Sequence, residues 1–228
     1  MRKFVSVLLL AGGTGSRFGA ALPKQFTILG SKRIAHYSLD LFLKSPSISE
    51  IIIVCDEEFR GYFYGYTDQR IRFAKAGSTR QGSVNEGLKA ISPLSEIVCI
   101  HDSARPFVSS EALEKVIEEG SLHRAAVLAV PAKNTVKEVN KDGFVKRTLD
   151  RSLLWEMQTP QVLSRELLQK GLSYAEQEEI EVTDDVSLAE LLGAAVKIVP
   201  SSYRNIKITT PDDMTIATSF WQEIHAQV

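Results

Sequence analysis

A glycine-rich segment near the start of the chain combines small residues with two cationic side chains. Its candidate binding residues are Ala11, Gly12, Gly13, Gly15, Arg17 and Lys24. A glycine-rich turn lets backbone N–H groups approach phosphate oxygens, and nearby cations neutralise the phosphate charge. Because a triphosphate needs both kinds of contact while one phosphorus is attacked, we expect this segment to bind a triphosphate.

Two standard nucleotide-binding motifs do not fit this segment. A P-loop requires Gly-Lys followed by Ser or Thr, and the segment has no such sequence. A dinucleotide fingerprint requires a third glycine and an acidic residue about 20 positions later. Here Phe18 occupies the third glycine position, and the first acidic residue of the chain is Asp40.

A second candidate site follows an apolar run, where the chain reads His101-Asp102-Ser103-Ala104-Arg105-Pro106. The carboxylate of Asp102 is a hard oxygen ligand of the kind that binds Mg²⁺ together with phosphates. We therefore predict that Asp102 is a Mg²⁺ ligand. His101 could serve as a base, but we interpret it as a hydrogen-bonded structural residue.

Short apolar runs rich in Val and Ile alternate with helical patterns along the chain. The predicted strands are Phe4–Leu10, Glu50–Cys55, Ile71–Ala74, Ile97–Ile100, Ala125–Pro131 and Val196–Pro200. The predicted helices lie near Ile34–Lys44, Gln81–Ile91, Ser110–Gly120, Arg165–Glu176, Asp184–Leu192 and Asp212–Ile224. This alternation predicts an α/β fold, a Rossmann-like three-layer arrangement with a mostly parallel sheet, as a single domain over residues 1–228. Both candidate sites follow strands, so they should meet at the carboxyl edge of the sheet.

Residues 133–155 interrupt the alternation with two stretches of alternating residues around Asp142-Gly143. Asp-Gly between such stretches predicts a β-hairpin. Its apolar side chains need a cover, and a second copy of the chain is the simplest one, so we expect a dimerisation arm and a homodimer. A flap packed on its own domain is the alternative.

Overall composition excludes several classes of protein. The 228 residues include 27 Lys and Arg against 28 Asp and Glu, which argues against nucleic acid as a partner. No apolar run approaches the length of a membrane span. Cys55 and Cys99 lie in apolar runs, so we interpret them as buried free thiols in a reducing compartment and expect a cytoplasmic protein.

Several motifs together resemble a known family. The loop and Pro23-Lys24-Gln25 are similar to the signature of the sugar-phosphate nucleotidyltransferases. Within these, the chain resembles the 2-C-methyl-D-erythritol 4-phosphate cytidylyltransferase family (IspD) in further motifs, which are residues 101–106, 148–151, 155–161, 182–185 and 205–209. The resemblance implies that CTP and methylerythritol phosphate react to give the CDP-alcohol and pyrophosphate, with Mg²⁺ as cofactor.

The resemblance also implies a role for each matching position. Arg17 and Lys24 would stabilise the transition state at the α-phosphorus, and residues 11–17 would wrap the triphosphate. Further CTP contacts would come from Gly77, Ser78, Arg80, Ser83 and Ser103. The methylerythritol phosphate would be held by Thr135, Arg151, Thr159 and Lys207, with Thr135 and Arg151 reaching across from the partner subunit.

The chain departs from the family pattern at two positions, because Ser78 stands where many relatives carry Asp and Arg204 stands where some carry Asp. A ribitol-5-phosphate cytidylyltransferase is the near alternative, since it shares the loop and part of the later motifs. A nicotinamide-dependent oxidoreductase and a regulatory nucleotide-binding module are alternatives of other classes. We interpret Asp184 and Asp185 as the N-terminus of a helix and not as a second metal site.

Overall fold

The computed structural model describes residues 3–13 and 22–226. Its strands are β1 (Val5–Leu10), β2 (Ile28–Leu29), β3 (Lys32–Arg33), β4 (Glu50–Val54), β5 (Ile71–Ala74), β6 (Ile97–Asp102), β7 (Ala125–Pro131), β8 (Lys137–Val139), β9 (Val145–Thr148), β10 (Trp155–Ser164) and β11 (Lys197–Pro200). Its α-helices are α1 (Ile34–Lys44), α2 (Arg80–Ala90), α3 (Ser110–His123), α4 (Arg165–Gln177), α5 (Ser187–Leu191) and α6 (Pro211–His225).

Seven strands form the main sheet in the order β11-β7-β10-β6-β1-β4-β5. Strand β1 is parallel to both of its neighbours, β6 and β4. Strand β10 is antiparallel to β6 and to β7, so the sheet is mixed but mostly parallel. The α/β prediction is therefore confirmed.

Side chains of the central strands alternate between two apolar cores. In β1, Val7 and Leu9 belong to one core and Leu8 to the other. Helices α1 and α3 contribute to the first core, and α2, α4 and α5 contribute to the second. This alternation follows from the two-residue period of a strand, and it explains why the parallel strands read as continuous apolar runs.

The predicted hairpin is present as β8 and β9, which pair only with each other as a two-stranded antiparallel sheet. Its turn contains Gly143, whose φ of 86° favours glycine. Several of its apolar side chains are exposed, with Phe144 73% exposed and Val145 60% exposed. The arm (residues 133–155) thus presents apolar surface that its own chain leaves uncovered.

Two predicted elements differ from the structure. Strand β10 was not among the predicted strands, although it lies near the centre of the sheet. The helix expected near Asp184 begins at Ser187, and its N-cap residue is Val186. The last helix agrees with the prediction, because Thr210 and Asp213 form a capping box with Pro211 in the first turn. Within the described residues, no helix is long and apolar enough to span a membrane.

Candidate active site

A cavity of about 430 Å³ opens at the carboxyl edge of the sheet, beyond β1 and β6. Its lining includes many of the predicted site residues, namely Gly12, Gly13, Lys24, Gly77, Ser78, Arg80, Ser83, Asp102, Ser103 and Lys207. They come from the ends of β1 and β6, the short 3₁₀ helix at Lys24, the start of α2 and the segment before α6. The fold thus brings together residues that are almost 200 positions apart in the chain, as the sheet-edge rule predicts.

Charged side chains surround the carboxylate of Asp102 at the end of β6. Lys207 Nζ lies 2.8 Å from one carboxylate oxygen, and Arg80 Nε lies 3.2 Å from the other. Burial alone would raise the pKa of Asp102, but Arg80 and Lys207 hold this pKa well below its ordinary value. Asp102 is therefore ionised at neutral pH.

Glycines allow neighbouring segments to approach closely on one side of the cavity. A Cβ on Gly77 would lie 2.4 Å from the backbone of Gly82, in the first turn of α2. A Cβ on Gly12 would lie 2.3 Å from the Cβ of Ala76. A side chain at Gly12 would therefore push the glycine loop away from Ala76, and a side chain at Gly77 would push its own segment away from the first turn of α2.

The start of the glycine-rich loop is held by Gln25, which is 2% exposed. Its side-chain amide donates to the backbone oxygen of Ala11 at 2.7 Å and to that of Gly13 at 2.8 Å. The neighbouring Lys24 lies in a short 3₁₀ helix, Lys24–Phe26, and lines the cavity. Two predicted residues of this loop, Gly15 and Arg17, lie outside the described residues.

His101 is fully buried, and both of its ring nitrogens contact side-chain hydroxyls of the same chain. Its Nδ1 lies 3.0 Å from the Thr159 hydroxyl, and its Nε2 lies 3.1 Å from the Ser38 hydroxyl. Burial lowers the pKa of His101 to about 4. The ring is thus neutral at physiological pH, which agrees with the structural role predicted for it.

The hydroxyl of Thr159, a predicted substrate contact, faces inward. Thr159 is 3% exposed, and its hydroxyl accepts the backbone N–H of Asp102 at 3.1 Å as well as contacting His101. The hydroxyl thus supports the end of β6 directly. Its predicted contact with substrate is a different role, for which this side chain has little exposed surface.

Asp102 fits a Mg²⁺ site only if the nucleotide supplies most of the ligands. Among the described residues, no group of three or more His, Cys, Asp or Glu side chains could hold a metal ion. Magnesium commonly binds through one or two carboxylates plus substrate phosphates and water. A single ionised carboxylate beside a cavity large enough for phosphate groups matches that donor set.

The two predicted substrate residues of the arm lie elsewhere. Thr135 and Arg151 are exposed, and Arg151 lines a separate cavity of about 510 Å³ at the base of the arm. The Arg151 guanidinium donates to the backbone oxygen of Lys133 at 2.7 Å. Neither Thr135 nor Arg151 lines the cavity around Asp102 within one chain.

Sequence reasoning missed three buried polar residues that organise this site: Gln25, Gln161 and Asp185. Asp185 forms a bidentate ion pair with Arg80, with both N–O distances 2.7 Å. Asp184 and Asp185 precede α5, which begins at Ser187, and do not form its N-terminus as predicted, although Asp184 accepts the Ser187 N–H. A signal for Gln25 was available, because it belongs to the Pro23-Lys24-Gln25 motif that carries the resemblance.

The chain is similar over nearly its whole length to one family of known proteins. A family model described as IspD, 2-C-methyl-D-erythritol 4-phosphate cytidylyltransferase, matches residues 5–223. The chloroplastic protein of that name from Oryza sativa is 48% identical, with 96% of this chain and 75% of the rice protein covered. The protein of that name from Syntrophus aciditrophicus is 37% identical, with both chains fully covered.

Solved structures give the same result. The crystal structure of 4-diphosphocytidyl-2C-methyl-D-erythritol synthase from Anaerococcus prevotii superposes with a TM-score of 0.87 at 33% identity, covering 96% of each chain. The 2-C-methyl-D-erythritol 4-phosphate cytidylyltransferase of Francisella tularensis superposes with a TM-score of 0.82 at 31% identity, covering 96% of this chain and 100% of that one.

Proposed function

The chain belongs to the 2-C-methyl-D-erythritol 4-phosphate cytidylyltransferase family, and we propose that the cavity around Asp102 is where it joins CTP to that alcohol phosphate. The enzyme is a nucleotidyltransferase of isoprenoid precursor synthesis, which forms 4-diphosphocytidyl-2-C-methyl-D-erythritol and pyrophosphate. The observation that supports this site best is the convergence of Lys24, Arg80 and Lys207 with glycine backbone around one ionised carboxylate.

The chemistry of the reaction fits a site built from charges. A phosphate oxygen of the alcohol phosphate attacks the α-phosphorus of CTP, a new P–O bond forms, and the bond to the β-phosphate breaks as pyrophosphate leaves. The attacking oxygen is already anionic at pH 7, so no side-chain base is needed. The protein must align two anions and stabilise the charge of the transition state, and we assign this stabilisation to Lys24, which lines the cavity. Arg17 is assigned the same role, and Lys207 holds the acceptor phosphate.

Asp102 would hold Mg²⁺ at this site, with phosphate oxygens completing its coordination. The bound ion would offset the charge of the triphosphate. Because Lys207 and Arg80 already contact both oxygens of Asp102, their positions constrain where the nucleotide enters. Gly77, Ser78 and Ser83 line the other side of the cavity, where we assign cytosine and ribose.

The arm completes the site of a second subunit in this proposal. Its apolar side chains are exposed in the single chain, and Arg151 and Thr135 lie apart from the Asp102 cavity. Pairing of two arms in a symmetric dimer would cover the apolar surface and bring these polar residues to the partner's cavity. We therefore propose a homodimer in which each active site contains residues of both chains. Cytoplasmic location remains a prediction.

The ribitol-5-phosphate alternative is not favoured, because the similar proteins are named for the methylerythritol reaction. One assay compares the two. Purified protein is mixed with CTP, Mg²⁺ and either alcohol phosphate, and pyrophosphate release is followed with a coupled enzyme. We expect release with 2-C-methyl-D-erythritol 4-phosphate and little with ribitol 5-phosphate. Lack of release at saturating concentrations of the first pair would refute the proposed reaction.

Metal dependence is tested in the same assay. Treatment with EDTA should abolish pyrophosphate release, and added Mg²⁺ should restore it. The variant Asp102→Asn should require a higher Mg²⁺ concentration for half-maximal rate than the wild type. An unchanged Mg²⁺ requirement in Asp102→Asn would contradict the assignment of this carboxylate to the metal.

A further inference from the structure

Two adjacent carboxylates behind the nucleotide cavity, Asp184 and Asp185, have different surroundings. Asp184 accepts the backbone N–H of Ser187, the first residue of the short helix α5, at 3.0 Å. Asp185 is 2% exposed and accepts two hydrogen bonds from the guanidinium of Arg80, each 2.7 Å long. The contact with Ser187 thus accounts for Asp184 but leaves the orientation of Asp185 toward Arg80 to be explained.

The backbone of Asp185 is anchored to the central sheet. The side-chain oxygen of Gln161, a residue of β10, accepts the N–H of Asp185 at 2.7 Å and that of Val186 at 3.0 Å. Gln161 is 1% exposed, and its amide donates to the backbone oxygen of Gln158 at 3.1 Å. Asp185 is therefore held in place by a buried residue of the sheet, independently of any ligand.

Arg80 connects this anchor to the cavity. Its Nη1 and Nη2 are bound to Asp185, while its Nε points to Asp102 at 3.2 Å. A guanidinium held by a bidentate pair has a defined plane as well as a defined position. Without Asp185, the long Arg80 side chain could adopt other rotamers, and its contact with Asp102 would no longer be fixed.

We propose that Asp185 is a positioning residue for nucleotide binding, which orients Arg80 and, through Arg80, the carboxylate of Asp102. The inference rests on the proposed function and deepens it by giving the acidic motif at residues 182–185 a role. A site whose charges are already in place binds its ligand without the cost of ordering them. The loss of this order should therefore weaken CTP binding more than it affects the acceptor phosphate.

The test compares single and double variants by calorimetry and kinetics. CTP affinity is measured for Asp185→Asn, Arg80→Ala and the double variant, with EDTA and with Mg²⁺, and KM is measured for both substrates. Since a hydrogen bond between charged groups contributes enough for at least a tenfold change, Asp185→Asn should raise the Kd and KM for CTP about tenfold. The KM for the alcohol phosphate should stay within about twofold. Glu181→Gln, which removes an exposed charge of the same segment, should behave as wild type.

The double variant separates positioning from a structural role. If Asp185 acts through Arg80, the double variant should bind CTP no more weakly than Arg80→Ala alone. The proposal is overturned if Asp185→Asn binds CTP like wild type, or if the two losses multiply in the double variant. If Asp185→Asn does not fold, Arg80→Met with Asp185→Leu removes both buried charges together. That pair must match Arg80→Ala in CTP affinity. Wild-type CTP binding and pyrophosphate release test the proposed function separately.

Discussion

Mixing two differently inactivated variants tests whether the arm completes the active site of a second subunit. Lys24→Ala damages the cavity half of the site, whereas Arg151→Ala damages the arm half. In a dimer that pairs each cavity with the partner's arm, a mixed dimer contains one site with both changes and one site with neither. The intact site should have wild-type turnover.

The size of the recovery follows from symmetry. Random pairing of equal amounts places about half of all chains in mixed dimers, and each mixed dimer has one working site of two, so activity should return to about 25% of wild type. Pure mixed dimers, isolated through a different affinity tag on each chain, should reach about half. Each variant alone should stay below a few per cent when the alcohol phosphate is kept well below the KM of Arg151→Ala.

The assay is pyrophosphate release after the chains are exchanged in mild denaturant and refolded together. A mixture of Lys24→Ala with Lys207→Ala serves as the matched control, because both changes lie in the cavity half and no mixed dimer would then contain an intact site. Recovery of about 25% in the first mixture and none in the control supports the shared site. Absence of recovery in pure mixed dimers would refute it and favour an arm that packs on its own chain.

Three further predictions concern the cavity, the glycine contact and the thiols. Lys24→Ala should lower kcat by about 10²–10³-fold without changing thermal unfolding, as expected for a preorganised charge. The control variant Lys170→Ala, at an exposed lysine, should leave kcat unchanged. Equal kcat in Lys24→Ala and wild type would contradict the role of Lys24. Gly77→Ala should lower the free energy of unfolding, measured by urea titration, by about 1–3 kcal/mol and should raise the KM for CTP, because the added Cβ would lie 2.4 Å from backbone. Gly61→Ala is the control, since a Cβ there would have no atom within 4 Å, and it should change neither quantity. Burial raises the pKa of Cys55 to about 11, so a thiol reagent at pH 8 should label it only after denaturation; rapid labelling of the native protein would show that the thiol is accessible.

The parallel strands and the arm could be predicted from sequence because they depend on local patterns. The alternation of apolar runs with helical segments predicts the parallel strands, and Asp142-Gly143 predicts the arm. Strand β10 could not be predicted in this way, because Pro160 in its middle argues against a central strand. The structure accommodates Pro160 because the register of β10 against β7 shifts between Met157 and Gln161, so the proline lies within the irregularity.

The candidate site could be predicted in part for a related reason. Residues that follow a strand directly, such as Gly12 and Asp102, are placed by the sheet itself. Asp185 is placed by tertiary contact instead, since its partner Arg80 is 105 positions away in the chain. Single-residue patterns contain no information about such a pairing.

The charges of the site show which residues must attract the triphosphate. Lys207 and Arg80 contribute two positive charges, and Asp102 and Asp185 contribute two negative charges within hydrogen-bond distance. Since these charges cancel, this group orders the cavity but supplies little net attraction for an anion. We therefore assign the attraction to Arg17 and Lys24 together, to the backbone N–H groups of the glycine loop and to a bound cation. The loss of Lys24 should therefore affect the reaction more than the loss of an exposed lysine such as Lys170, and high salt should weaken CTP binding.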